Sequence, residues 1–233
     1  MIEFFSLFTP KIMKRIFITI FALLPCVIHA AMLHSQYNTY TYTSALKVFL
    51  FILSPIAYYA MSKDGNLRGL LTLGGDRKHL KQAGLLGLLV FAVILAGFAA
   101  FRPLLDESMI MGALADVGID SGNYFLAFIY VVLVNAAVEE VFFRGFVFLT
   151  LYRMDYRRFA YIFSSLLFAL YHVSVIRNGV SLPLLVLSTC ALGGVGLLFN
   201  EITRRCDSIF GSLIVHMSAN LAINFIGAYI FFN

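Results

Sequence analysis

Residues 125–152 read FLAFIYVVLVNAAVEEVFFRGFVFLTLY. A helix needs about 20 apolar residues to cross a bilayer, and this run exceeds that. It also carries three charges, Glu139, Glu140 and Arg144. Six further apolar runs accompany it, at approximately 16–33, 45–61, 83–100, 158–176, 181–199 and 208–232. Of the 233 residues, 61% are hydrophobic and only 12% charged, with a mean hydropathy of +0.90. A soluble domain has about twice that charged share, and a water-exposed surface built from this chain would carry large apolar patches. The runs show no ten-residue alternation, which sets an outer-membrane barrel aside. The sequence predicts an all-α fold, a polytopic membrane helix bundle of about seven transmembrane helices. No repeat or linker divides residues 1–233, so one membrane-embedded domain is expected.

The net charge of +5 does not mark a nucleic-acid partner, because the basic residues form no single patch. They recur between the apolar runs, as orientation signals do. Lys11, Lys14 and Arg15 precede the first run; Lys63, Arg68, Arg77, Lys78 and Lys81 follow the second; Arg153, Arg157 and Arg158 follow the fourth; Arg204 and Arg205 follow the sixth. These are 13 of the 17 basic residues, against Arg102 and Arg177 on the other side, with Lys47 and Arg144 inside spans. The N-terminus is therefore expected in the cytoplasm and Asn233 outside, in a bacterial inner (plasma) membrane. The outer loop 101–124 carries Asp106, Glu107, Asp116 and Asp120, and Tyr37, Tyr40 and Tyr42 stand where an interfacial belt would lie. The basic segment 62–82 reads as a connecting loop. Lys14-Arg15 ahead of Ile16–Leu24 and Ala30-Ala31 also resembles a secretory signal. A retained helix is the expectation, and cleavage would leave six spans with the same orientation. Cys26, Cys190 and Cys206 are odd in number and widely spaced, supporting neither a disulfide framework nor a zinc knuckle.

A charge at the bilayer centre costs roughly 2.5–3.5 kcal/mol on insertion scales and so calls for a reason. Glu140 and Arg144, four residues apart, share a helical face and can pair. Glu139 points about 100° away and lacks that partner. The fifth run ends in Phe168-Ala-Leu-Tyr-His172, and the seventh holds His216-Met-Ser-Ala-Asn220 with Asn224 one turn on. Each group alone reads as well as a structural polar knot, a helix-to-helix hydrogen bond or a packing stripe. Depth joins them. At 1.5 Å per residue, Glu139, His172, His216 and Asn220 lie about 20, 21, 12 and 18 Å from the cytoplasmic ends of their spans.

Such a group suits hydrolysis of an amide bond inside the membrane. Glu139 beside His172 could take a proton from water. His216 and Asn220 could donate to the oxyanion formed by its attack on a carbonyl. Glu140 paired to Arg144 would hold the helix in rotation. No Gly-rich phosphate loop accompanies them, so phosphoryl transfer is not indicated. A zinc ion could use Glu139, His172 and His216 as ligands with one position open for water. The sequence lacks HExxH, however, and no cofactor is the favoured reading.

Glu139-Glu140-Val-Phe-Phe-Arg144, Phe168-Ala-Leu-Tyr-His172 and His216-Met-Ser-Ala-Asn220 resemble the EExxxR, FxxxH and HxxxN motifs of the CPBP intramembrane proteases, also called the CAAX prenyl protease 2 or Abi family. Each motif is weak by itself; all three, in order on separate spans, are specific. The resemblance covers about residues 125–228. It implies a helical membrane fold with a sunken active site, Glu139 and His172 activating water, and His216 and Asn220 at the oxyanion. Glu140 and Arg144 match the remaining motif positions. The family has been read both as metalloprotease and as metal-free glutamate protease. Seven spans, against the eight typical of the prenyl-protein branch, point away from a prenylated substrate. The expected function is an intramembrane endopeptidase acting on a membrane-associated protein or peptide. One alternative is a catalytically silent relative that confers bacteriocin immunity or binds a peptide. The other is a small transporter or proton relay, which the lack of internal symmetry disfavours. The Gly193-Gly194-Val-Gly196 stretch reads as a close helix contact.

Overall fold

The computed structural model describes residues 10–36, 38–62, 76–176 and 181–232. Seven of its helices are long and apolar enough to cross a membrane. They are α1 (Pro10–Leu33), α2 (Tyr40–Ser62), α3 (Arg77–Phe101), α5 (Tyr124–Arg153), α6 (Arg157–Ile176), α7 (Leu182–Cys206) and α8 (Phe210–Phe232). A short helix, α4 (Glu107–Asp116), occupies the segment between α3 and α5 that was expected to be loop. Every expected span finds its helix, so the chain is a multi-pass membrane protein. Large apolar side chains such as Leu85, Leu88, Phe125, Leu126 and Leu187 face outward on the bundle, the pattern a lipid-facing surface requires.

Helix ends extend beyond the apolar runs. The α3 helix begins at Arg77, where Asp76 accepts a hydrogen bond from the Lys78 backbone N–H at 2.9 Å, a capping contact that satisfies a free donor of the first turn. That places the end of the basic 62–82 segment in a helix; residues 63–75 lie outside the described residues. At the other end of α7, Asp207 turns left-handed with φ 47°. Asp155 does the same after α5 with φ 69°. Asp tolerates this region better than most residues, and the two sharp turns set α5 against α6 and α7 against α8 with three-residue connections. Arg153 reaches Asp207 at 3.1 Å and ties the turns together.

Pro25 and Pro55 sit inside α1 and α2. Pro25 has no N–H to give the Phe21 carbonyl one turn earlier. Ser54 of α2 donates its hydroxyl to that carbonyl instead, the kind of repair that lets proline persist in a membrane helix. Around this contact lies the main core, where the Phe51 ring stacks on Phe142 with centroids 4.1 Å apart and meets Phe143 edge-on at 5.6 Å. The α3 helix packs along α8, and α6 along α7. A Cβ on Gly196 would stand 2.9 Å from Ser165 Cα, so the expected close helix contact is made by Gly196. Gly193 and Gly194 face open space.

The α5 helix is not regular. Residues Tyr130–Asn135 and Glu140–Leu149 are wound as π-helix, with α-helical Ala136–Glu139 between them. Such winding shifts the carbonyl partners and commonly marks functional positions. Two neighbours contribute side-chain donors to these stretches. Asn220 Nδ2 donates to Val131 O at 3.0 Å and Ser164 Oγ to Phe143 O at 3.0 Å. Of the tyrosines expected at an interfacial belt, Tyr42 is exposed. Tyr40 turns inward against Tyr130 with ring centroids 5.9 Å apart, and Tyr37 lies outside the described residues.

Candidate active site

Glu139 stands at the junction of the central α-helical turn of α5 and its second π stretch, and is 2% exposed. His172 comes from the far end of α6 and His216 from the second turn of α8. All three side chains meet. His172 Nε2 lies 3.7 Å and His216 Nε2 3.8 Å from the same oxygen, Glu139 Oε2. That oxygen is buried with no hydrogen-bond partner among the described residues. The depth argument thus placed the carboxylate and both imidazoles together correctly.

Each imidazole is held from behind. His172 Nδ1 donates to the Phe168 carbonyl at 2.8 Å, and His216 Nδ1 to Glu140 Oε1 at 2.9 Å. A carbonyl only accepts, as does a carboxylate paired to arginine, so the hydrogen of each neutral ring sits on Nδ1. Both Nε2 atoms then face the Glu139 oxygen. Glu140 therefore does more than fix helix rotation: it orients His216. Its other partner, Arg144 Nη1, is 3.4 Å away, with both side chains fully buried. The guanidinium lies over Phe168 and Phe199, 4.2 and 4.9 Å from their centroids. These contacts offset part of the cost of a charge taken out of water.

Lys47 of α2 completes the cluster. Its ammonium is 3.2 Å from Glu139 Oε1 and hydrogen-bonds Asn135 Oδ1. Sequence reasoning placed Lys47 in a span without a role. The signal was present, since a lysine within a span calls for a carboxylate. The partner is 92 residues away, and periodicity carries no information across that distance.

Asn220 is placed differently from its neighbours. Its amide donates to the Val131 carbonyl; the second hydrogen of that NH2 is the one free to serve another acceptor. Asn224 turns along its own helix, donating to Asn220 O at 2.8 Å, while Tyr124 Oη donates to Asn224 O at 2.8 Å. The expected polar stripe thus divides into a site residue, His216, and two asparagines engaged with helix backbone.

The donors match a zinc site in type, two imidazoles and a carboxylate, with each Nδ1 held as ligating histidines usually are. Among the described residues no three His, Cys, Asp or Glu side chains are arranged to hold a metal ion. The Lys47 ammonium also already balances the Glu139 charge that a dication would need.

In this seven-span bundle, α2, α5, α6 and α8 thus bring an ammonium, a buried carboxylate and two imidazoles together inside the membrane-spanning region. Residues 121–222 match the family described as type II CAAX prenyl endopeptidase Rce1-like. That segment contains all three motifs and the whole cluster except Lys47, and the match supports the resemblance to the CAAX intramembrane proteases over the motif-bearing core. No curated protein and no solved structure matches the chain at a significant level.

Proposed function

We propose that this protein is an intramembrane endopeptidase that hydrolyses a peptide bond of a membrane-associated protein or peptide without a metal. The observation that carries the reading is the pair of imidazole Nε2 atoms aimed at one unpartnered oxygen of Glu139. Two acceptors, Glu139 Oε2 and His172 Nε2, facing one point suit a water molecule, which brings two hydrogens. Glu139 takes one proton as the water oxygen bonds to the scissile carbonyl carbon, and His172 orients the water by accepting its other hydrogen. The carbonyl π electrons move to oxygen. His216 enters the step as an imidazolium and keeps both ring protons throughout; its Nε2–H and the second N–H of Asn220 donate hydrogen bonds to that oxyanion. Glu140 behind the ring balances the imidazolium. As the C–N bond breaks, the proton held by Glu139 passes to the leaving nitrogen, giving a carboxylic acid and an amine. The Lys47 ammonium holds Oε1 so that Oε2 is the oxygen presented. The distribution of basic residues supports a cytoplasmic N-terminus in a bacterial inner membrane.

The test is cleavage of membrane-tethered peptides by purified protein, wild type beside Glu139→Gln, with metal content measured on the same samples. Cleavage that survives chelator and vanishes in Glu139→Gln is the expected result. Loss on chelation with recovery in zinc would overturn the metal-free mechanism. Equal peptide binding by both forms with cleavage by neither would instead indicate a silent peptide-binding relative.

A further inference from the structure

A cleft of about 680 Å³ opens at the α4 end of the bundle and runs down to the polar cluster. Its walls come from four helices and include His29 of α1, Ser44 and Lys47 of α2, Asp116 of α4 and Ser174 of α6. Its size falls in the range of about 300–1,000 Å³ typical of ligand pockets. Lys47 stands at its floor and contacts Glu139 at 3.2 Å. The other wall at that depth is Tyr171, next in sequence to His172. By contrast, the cavity between the opposite ends of α1 and α2, lined by Met13, Phe17, Phe21 and Met61 among others, includes no residue of the cluster.

The lining chemistry indicates the occupant. His29 is 3% exposed, and its Nδ1 has no hydrogen-bond partner among the described residues; nor has Asn38 Oδ1. In the same cleft the hydroxyls of Thr43 and Ser174 donate to the Thr39 and Tyr171 carbonyls, which leaves their oxygens able to accept a further hydrogen. Buried donors and acceptors without partners are destabilising unless something pairs with them. An extended peptide, with an N–H and a C=O at every residue, is the ligand that pairs with acceptors and donors spaced along a channel. A lipid chain offers nothing to these groups.

We infer that the substrate peptide reaches Glu139 from the α4 end, threading in extended form between α1, α2 and α6 beneath α4. This rests on the peptidase reading and adds its substrate subsite and its side. The segments at the α4 end are poor in basic residues, so the peptide is presented from outside the cytoplasm.

The test uses the full-length protein in right-side-out and inverted membrane vesicles. Ser44→Cys and Ser174→Cys are each made the sole cysteine and exposed to a membrane-impermeant cationic methanethiosulfonate. A form keeping only Cys190, exposed on α7, is the control. Both cleft positions should label at least tenfold faster from the outer face. Labelling should also slow cleavage of a tethered peptide at least tenfold relative to the same variant unlabelled, with no slowing in the Cys190 form. Faster labelling from the inner face, labelling from neither face, or undiminished cleavage after labelling would overturn the inference. Labelling is read without reference to activity. Failure of the peptidase reading alone would therefore show as correct sidedness with no cleavage by unlabelled protein.

Discussion

At the scale of single residues, the site depends on how two buried carboxylates are shared among cations. Glu139 gives one oxygen to Lys47 and presents the other to His172 and His216. Glu140 answers to Arg144 and to the back of His216. Removing one partner of a buried pair leaves an uncompensated charge, at a cost of about 3–5 kcal/mol. Lys47→Met should therefore lower stability by about that amount in a thermal or denaturant titration in detergent, whereas Lys47→Arg should retain most of it. Glu139→Gln changes little volume. Under the proposed mechanism it should fold and yet lose at least 100-fold in cleavage rate, the usual scale of a lost general base. Glu139, Glu140, Arg144, His172 and His216 were legible in the sequence because charged and imidazole groups in apolar runs are conspicuous. Lys47 was visible but unassigned, because only the folded bundle brings α2 against α5.

At the scale of elements, α5 is the least regular span and the one that bears Glu139. Its π-wound stretches are buttressed from α8 by Asn220 and from α6 by Ser164, which also bonds Asn200 Oδ1 at 3.2 Å. Ser164→Ala would remove the hydroxyl from the Phe143 carbonyl and leave the Asn200 carbonyl oxygen without its Ser164 donor in a buried setting. The expected loss is about 1–3 kcal/mol of stability, measured in the same titration. A regular 3.6-residue period was assumed when the spacing of Glu139, Glu140 and Arg144 was read. The π winding was not legible, because no local pattern distinguishes it from regular helix and the side chains that meet its carbonyls come from α6 and α8. The same holds for α4, whose ten residues are too short and too weakly amphipathic to announce a helix. Gly196 was legible only as one of a group of three glycines, and the packing against Ser165 singles it out. Gly196→Val should force α6 and α7 apart and cost about 1–3 kcal/mol, while Gly193→Val, facing open space, should be nearly neutral.

For the whole molecule, composition alone settled the class, since 61% hydrophobic and 12% charged residues cannot clothe a soluble surface. The seven spans followed from run lengths, with boundaries short by a few residues where polar side chains remain helical beyond the apolar core. Sidedness is written in the loops. A reporter that works only outside the cytoplasm should be active when fused after Asn233 and inactive when fused within 154–156. The reverse would invert both the topology and the face at which the cleft opens.

The central claim is that Glu139 and His172 act on one water as a unit. The most direct test is single-turnover cleavage of a tethered peptide by wild type, Glu139→Gln, His172→Ala and the double variant. Residues that work as a unit have strongly non-additive losses. The double variant is therefore predicted to be no slower than the worse single one. Losses that multiply, or a single variant that keeps wild-type rate, would contradict the mechanism.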